Sequence, residues 1–146
     1  MSEATVNILL VDDDDVDIMT LQRAFKRNNI SNPLFIGNNG IEALDLLRGT
    51  NGAEKINPAP RIILLDINMP IMDGFQFLEE FEKITGKLHD KCKIIMLSSS
   101  ISPRDIDRAA SNKFVKKYLN KPLNSRYLQA ITLWSFTDYT EKNKGS

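Results

Sequence analysis

Short continuous apolar runs alternate along this chain with segments whose apolar residues recur at helical spacing. Runs such as Ile8–Val11 are typical of strands that are buried on both faces, because no polar residue interrupts them. We predict five such strands, over residues 8–11, 33–36, 62–65, 93–97 and 115–119. Strict alternation with five helices predicts an α/β fold with a parallel sheet and helices on both of its faces.

The predicted helices are marked by apolar spacing and by their starts. The fourth has the clearest start, with Ser102 as a capping residue and Pro103 at the first helical position. The first helix should end near Asn28, and residues 49–60 should form a loop because they hold two glycines and two prolines. The apolar residues assigned to the other helices are Ile18, Leu21 and Phe25; Ile41, Leu44 and Leu47; Phe77, Leu78, Phe81 and Ile84; and Tyr127, Leu128, Ile131 and Trp134.

Length and charge narrow the class of protein. The 146 residues suit a single domain, with a core over about residues 6–140 and a polar, flexible tail at 141–146. Lys plus Arg and Asp plus Glu number 19 each, so we expect no nucleic-acid or membrane partner, since both require a basic excess. The single cysteine, Cys92, and the lack of a signal peptide or a long apolar run predict a cytoplasmic protein.

Polar residues follow four of the predicted strands at the point where each ends. Asp12 and Asp13 begin an acidic run after the first strand, and Asp66, with Asn68 close behind, follows the third. Ser98 follows the fourth strand and Lys121 the fifth. The carboxyl ends of parallel strands share one edge of the sheet, where ligands bind. Carboxylates that meet there need a cation, and oxygen ligands favour Mg²⁺. A phosphoryl group could sit beside them, stabilised by the metal, the lysine and the hydroxyl.

Simpler interpretations exist for several of these residues. Asp14 and Asp15 are better explained as caps of the next helix than as ligands. An EF-hand is excluded, because the sixth position counted from Asp12 is Asp17 instead of glycine. His89 lies in a polar loop and is expected to be solvated, so it is a poor candidate for a phosphohistidine, a base or a metal ligand.

Together these residues resemble the receiver domain of two-component response regulators. The resemblance rests on Asp12-Asp13, on Ser98, on Lys121-Pro122 and above all on the highly specific D-x-N-M-P-x-M-D-G stretch from Asp66 to Gly74. It covers roughly residues 6–140. The acidic run, Asn32-Pro33-Leu34 and the long loop before the third strand also resemble stand-alone receivers, some of which serve bacteriophytochrome kinases. The resemblance implies a flavodoxin-like (βα)5 fold with sheet order 2-1-3-4-5.

The family pattern also implies a role for each matching residue. Asp66 would accept a phosphoryl group from a sensor histidine kinase, a histidine phosphotransfer protein or a small acyl phosphate. Mg²⁺ would be held by the Asp13 and Asp66 carboxylates, by the Asn68 backbone carbonyl and, through a water, by Asp12. Such a chain catalyses only its own phosphorylation and dephosphorylation, so it is a signalling switch and not an enzyme with a separate substrate.

The same resemblance assigns the switch residues. Lys121, in an expected cis peptide bond with Pro122, would pair with the phosphoryl oxygens. Ser98 would move to hydrogen-bond the phosphoryl group while Tyr118 turns inward, changing the surface of helix four, strand five and helix five. The family more often has threonine at position 98 and a smaller residue at position 99. We hypothesise that Ser99 narrows access to the phosphoryl group and changes its hydrolysis rate, which Ser99→Ala would test.

Two other functions fit parts of the sequence. In a haloacid-dehalogenase-like phosphohydrolase, Asp12 would be the nucleophile and Asp14 the acid, but no acidic pair follows Lys121 and the motif at Asp66 is unexplained. A receiver-like module without phosphorylation is the second alternative. No helix-turn-helix segment follows, so output is expected through an unknown protein target or onward phosphotransfer. A homodimer is also possible, with Trp134, Phe136 and Tyr139 as candidate anchors or, for Trp134, as core.

Overall fold

Five parallel strands form the centre of the molecule. A computed structural model describes residues 6–84, 92–100 and 102–134. The strands are β1 (Ile8–Val11), β2 (Leu34–Gly37), β3 (Ile62–Asp66), β4 (Lys93–Ser98) and β5 (Val115–Asn120). They pair in the order β2-β1-β3-β4-β5, with Leu65 in register with Val11 on one side and Met96 on the other. The expected flavodoxin-like fold and sheet order are therefore confirmed.

Five helices lie between and after the strands in the part of the chain that the structure describes. They are α1 (Asp15–Arg27), α2 (Gly40–Arg48), α3 (Gly74–Glu82), α4 (Pro103–Ala110) and α5 (Ser125–Trp134). Side-chain caps explain where they begin: Asp14 caps α1, Asp73 forms a capping box with Gln76 at α3, and Ser102 caps α4 with Pro103 following. The predicted start of α4 and the end of α1 at Asn28 are confirmed.

Two apolar clusters cover the two faces of the sheet. The strand residues divide between them by alternation, so that Leu9, Ile63 and Leu65 pack with α2 and α3 while Ile8, Ile62 and Leu64 pack with α1 and α5. The larger cluster contains Phe77 and Phe81, both fully buried. This packing fixes the sheet, and with it the positions at which the strands end.

Several details differ from the sequence predictions. Strands β3, β4 and β5 each extend one residue further than expected, and β2 lies one residue later, at Leu34–Gly37. Asp66 and Ser98 are therefore the last residues of strands instead of the first of loops. Ile84 lies beyond the end of α3, although it still packs against the core. In α5, Leu128 and Ile131 are buried whereas Tyr127 is exposed.

Some of the predictions fall outside the described residues. These are the environment of His89, the side chain of Trp134, the candidate anchors Phe136 and Tyr139, and the tail at 141–146. Among the helices that the structure does describe, none has both the length and the apolar character that crossing a membrane would require.

Candidate functional site

Three carboxylates meet at the carboxyl edge of the sheet. Asp66 ends β3, and Asp12 and Asp13 directly follow the neighbouring strand β1. One oxygen from each of the three lies within 4.8 Å of the others, a spacing that could hold a metal ion. Asp12 and Asp66 are 1% and 5% exposed, whereas Asp13 is exposed. The structure thus brings together the acidic residues that the sequence singled out.

Lys121 joins this group from the end of β5. Its Nζ lies 2.9 Å from Asp12 Oδ2, 3.2 Å from Asp66 Oδ1 and 2.8 Å from Asp17 Oδ2. The backbone amide of Lys121 donates to the Ser98 carbonyl, and its peptide bond to Pro122 is cis, as expected. The lysine is therefore held at the edge of the sheet by both its backbone and its ammonium group.

Burial and charge change the ionisation of these groups. Burial raises the pKa of Asp66 to about 6, and the negative charge of Asp12 adds to this effect, while the ammonium of Lys121 opposes it. Burial likewise raises the pKa of Asp12 above its ordinary value, against the hydrogen bond from Lys121. Burial lowers the pKa of Lys121, but its hydrogen bonds to Asp12 and Asp17 and its attraction to Asp66 outweigh this and raise the pKa. A site with this excess of negative charge favours a cation.

A polar cavity of about 390 Å³ opens over the carboxylates. Its lining residues come from the last position of β3, from the loops after β1, β3, β4 and β5 and from the first turn of α1: Asp13, Asp14, Asp17, Asp66, Asn68, Ser99 and Lys121. The cavity gives a ligand at Asp66 a route from solvent. It also places Ser99, the unusual residue of this loop, beside that route.

Ser98 is buried next to the site, but its hydroxyl is bound within its own loop. The hydroxyl donates to the backbone carbonyl of Ser100, and the Ser100 amide donates back to the Ser98 oxygen at 3.1 Å. A hydroxyl has a single hydrogen to donate. Ser98 must therefore break this bond before it can donate to a group on Asp66.

Tyr118 already points inward. Its ring packs against the larger apolar cluster, and its register partner in β4 is Met96. The buried Tyr118 hydroxyl finds no hydrogen-bond partner among the described residues. The inward position matches the one that the family pattern assigns to this aromatic residue, while its part in switching stays a prediction.

Gly74 allows α3 to start directly against the end of β3. A Cβ at this position would lie 2.9 Å from the Asp66 carbonyl oxygen and 3.0 Å from Ile67 Cα. The Gly74 amide instead donates to the Ile67 carbonyl at 2.8 Å. The backbone at Gly74 thus lies in close contact with the backbone at Asp66 and Ile67, and this contact fixes the position of Asp66.

Asp14 caps a helix, as predicted. Its Oδ1 accepts from the amides of Val16 at 2.8 Å and Asp17 at 3.2 Å, and the side chain is exposed. This position does not suit the acid that the phosphohydrolase alternative required. Asp15 also lies in the first turn of α1, where a carboxylate is favoured by the helix dipole.

Asp17 is the site residue that the sequence prediction missed. It lies in the first turn of α1, and its carboxylate contacts Lys121. The available signal was its spacing, since it stands four residues before the buried Leu21 and so on the side of α1 nearer the sheet. The acidic run hid this signal, because a neighbouring carboxylate in a first turn is usually solvated.

Comparisons with known proteins show the family to which this chain belongs. A family model of the response regulator receiver domain matches residues 8–132. The chain belongs to the response regulator receiver family. It is 35% identical over 80% of its length to the probable methanogenesis regulatory protein FilR2 of Methanothrix harundinacea, covering 72% of that protein. It is also 32% identical over 85% of its length to the sensor histidine kinase CheAY of Helicobacter pylori, of which it spans only 14%.

Solved receiver structures have the same fold. A two-component response regulator from Cytophaga hutchinsonii superposes with a TM-score of 0.80 and 26% identity, over 92% of this chain and all (100%) of that one. The bacteriophytochrome response regulator RtBRR gives a TM-score of 0.75 and 26% identity, over 93% of this receiver and 81% of its own chain. The resemblance to bacteriophytochrome response regulators is therefore confirmed.

Proposed function

We propose that this receiver is a phosphorylation-controlled switch in which Asp66 accepts a phosphoryl group from a histidine kinase or a histidine phosphotransfer protein. One observation carries the proposal: the Asp66 carboxylate is buried at a strand end, 3.2 Å from the Lys121 ammonium and within 4.8 Å of oxygens of Asp12 and Asp13. Placing three carboxylates so close together does not stabilise the fold, because each is partly removed from water and repels the others. A reaction with a phosphoryl group accounts for the arrangement.

The residues present fit a magnesium ion. Asp13 and Asp66 would supply carboxylate oxygens and Asn68 its backbone carbonyl, the hard oxygen ligands that Mg²⁺ prefers. The Asp12 oxygens already accept from Lys121 and from the Asp14 amide, which suits contact through a water better than direct ligation. When bound, Mg²⁺ would offset the negative charge between Asp66 and the incoming phosphoryl group.

The transfer itself would exchange one bond to phosphorus for another. An Asp66 oxygen attacks the phosphorus, an O–P bond forms, and the N–P bond of the phosphohistidine breaks, leaving its electron pair on the imidazole nitrogen. Lys121 donates to a phosphoryl oxygen and so stabilises the charge that develops there. Ser98 donates to another phosphoryl oxygen once it has left the Ser100 carbonyl. Water later attacks the phosphorus and the O–P bond to Asp66 breaks, which releases inorganic phosphate and returns the free Asp66 carboxylate.

Phosphorylation would act on a partner by shifting the populations of two conformers of one surface. Ser98 and Lys121 make contacts with a phosphoryl group that the unmodified carboxylate does not offer, so they favour one conformer. The surface concerned is α4, β5 and α5, where Tyr118 lies, and the partner would be an unidentified protein target or a second copy of this chain. The 146 residues would act as one receiver domain in the cytoplasm.

Intact-protein mass spectrometry tests the proposal. After incubation with Mg²⁺ and acetyl phosphate, the wild type should gain the mass of one phosphoryl group, and EDTA should prevent the gain. Asp66→Asn should gain none, while the matched control Asp15→Asn, a charge change at an exposed position of α1, should react like wild type.

The contrary outcomes are distinct. An adduct retained in Asp66→Asn but lost in Asp12→Asn would support the phosphohydrolase alternative. An absence of any adduct on wild type would leave an interaction module that works without phosphorylation. In the same assay, Ser99→Ala tests the access hypothesis, since an unchanged phosphoryl lifetime would refute it.

A further inference from the structure

Lys121 is shared among three carboxylates, one of which has no role in the proposed reaction. Its Nζ is 2.8 Å from Asp17, 2.9 Å from Asp12 and 3.2 Å from Asp66. An ammonium group has three N–H donors, so three carboxylates suffice to occupy it. The shortest of these contacts is with Asp17, and the longest is with the phosphoryl acceptor.

A phosphoryl group on Asp66 needs at least one of those donors. The lysine can give it one only by weakening a contact that it already has. The Asp12 side chain is 2% exposed and would be left buried without its cation, whereas phosphorylation itself removes the carboxylate charge of Asp66, whose side chain is 7% exposed. The Asp17 side chain is 38% exposed, so water can replace the lysine there at the lowest free-energy cost.

We propose that Asp17 is a positioning residue that holds Lys121 in the unphosphorylated protein and releases it to the phosphoryl group. The inference rests on the proposed phosphorylation of Asp66. Asp17 acts on the site through its contact with the Lys121 ammonium. It thereby lowers the affinity of the site for a phosphoryl group in proportion to its own attraction for Lys121.

Beryllofluoride, a tetrahedral analogue of an aspartyl phosphate, measures this competition at equilibrium. We would titrate it against wild type and Asp17→Asn at saturating Mg²⁺ and follow the bound form by ¹⁹F NMR. Removing the Asp17 charge frees Lys121 for the anion, so Asp17→Asn should bind about threefold to fivefold more tightly. Saturating Mg²⁺ keeps any change in metal affinity out of the comparison.

Two variants separate the ion pair from general effects. Asp15→Asn removes the same charge from the same turn of α1 without a lysine contact, and it should bind beryllofluoride as wild type does. Asp17→Glu restores the charge and should return the affinity toward the wild-type value. Tighter binding in Asp15→Asn equal to that in Asp17→Asn would overturn the proposal, because a diffuse charge effect would then explain both.

A second measurement needs no phosphoryl analogue. Asp17→Asn is made both in wild type and in Lys121→Met, and each protein is unfolded with urea in EDTA. If Asp17 holds Lys121, the shift in unfolding midpoint caused by Asp17→Asn should differ between the two backgrounds. Equal shifts would show that the two side chains do not act on each other, and the proposal would fail.

The remaining outcomes distinguish this proposal from the one on which it rests. A wild type that binds no beryllofluoride contradicts the phosphorylation of Asp66, and the role of Asp17 falls with it. A wild type that binds the analogue, with Asp17→Asn binding no tighter, leaves the phosphorylation proposal intact and refutes the role of Asp17. Weaker binding by Asp17→Asn would overturn the proposal as well, because Asp17 would then present the lysine to the phosphoryl group instead of withholding it.

Discussion

Strand β3 buries apolar side chains along its length and a charged one at its last position. The residues from Ile62 to Leu65 are 0% exposed, and Asp66, next in the chain, is 5% exposed. Burial stabilises the first four by removing apolar surface from water, whereas it raises the free energy of the fifth by removing the hydration of a carboxylate. One strand therefore contains both the most stabilising and the most costly kind of burial.

The difference shows that one part of the receiver supplies its stability and another part supplies its reactive groups. The apolar clusters on both faces of the sheet fix the strand ends so firmly that carboxylates can be kept together there. The same closeness raises the pKa of Asp66 to about 6. The apolar clusters thus hold the site carboxylates together despite their mutual repulsion. Truncation of a core side chain and neutralisation of a site carboxylate should therefore change the free energy of unfolding in opposite directions.

The largest effect should come from the core. Phe81 is fully buried, stacks on Phe77 and meets Phe114 edge to face with ring centroids 5.2 Å apart. We expect Phe81→Ala to lower the free energy of unfolding by about 3–5 kcal/mol, measured by urea denaturation. The control Tyr127→Ala, at an exposed aromatic of α5, should change it by less than about 1 kcal/mol. A similar loss in both variants would break the contrast between core and surface.

A smaller effect of opposite sign is expected at the acidic edge. In EDTA at pH 7.5, Asp66→Asn should raise the free energy of unfolding by about 1–2 kcal/mol, because it removes a buried charge that repels Asp12. Asp15→Asn, at an exposed position, is the matched control. A less stable Asp66→Asn would mean that the attraction of Lys121 outweighs burial, and the contrast with the core would be lost.

The sign of the pH dependence sharpens the same prediction. The folded pKa of Asp66, about 6, lies above the value of about 3.9 in an unfolded chain, so the folded protein binds more protons between these values. The wild type therefore loses stability as the pH rises through this window, and the advantage of Asp66→Asn should shrink as the pH falls from 7.5 to about 4. Urea denaturation at several pH values checks this, and an advantage that grows on acidification would contradict it.

The smallest effect should appear in the loop that follows Asp66. Ile71 is 82% exposed and has a φ of +71°, a left-handed conformation that is strained for a β-branched residue. We expect Ile71→Gly to raise the free energy of unfolding by about 0.5–1 kcal/mol, since relief of strain exceeds the entropy that glycine loses on folding. Ile71→Ala keeps a Cβ and removes the exposed side chain, so it should gain less. An equal gain in both variants would assign the effect to the exposed side chain.

The sequence predicted the fold because its signals are local and repeated. Each buried strand is a continuous apolar run, and the α3 and α4 caps can be read directly from Asp73 and from Ser102-Pro103. The clustering of Asp12, Asp13 and Asp66 was also predictable, since parallel strands bring the residues at their carboxyl ends to one edge of the sheet. That inference needed only strand order and no side-chain detail.

What the sequence did not predict depends on side-chain conformations. The Ser98 hydroxyl donates a hydrogen bond to the backbone carbonyl of Ser100, which the loop after β4 brings within reach. Asp17 reaches Lys121 across a sequence separation of 104 residues, and no local pattern reports such a contact. In the loop before β3, Ile56 is buried within the larger apolar cluster, although its neighbours in the sequence are polar or proline. These contacts arise from three-dimensional packing and not from periodicity.

The contact between Gly74 and the end of β3 has a consequence for how this receiver could be inactivated. Two stretches of backbone occupy adjoining space there, with no room between them for even one methyl group. A Gly74→Ala change would leave every carboxylate, the lysine and the serine in the sequence, yet it would force the start of α3 and the acceptor strand apart. A chain can therefore keep every chemical group of a receiver site while one added carbon atom changes the geometry in which those groups are held.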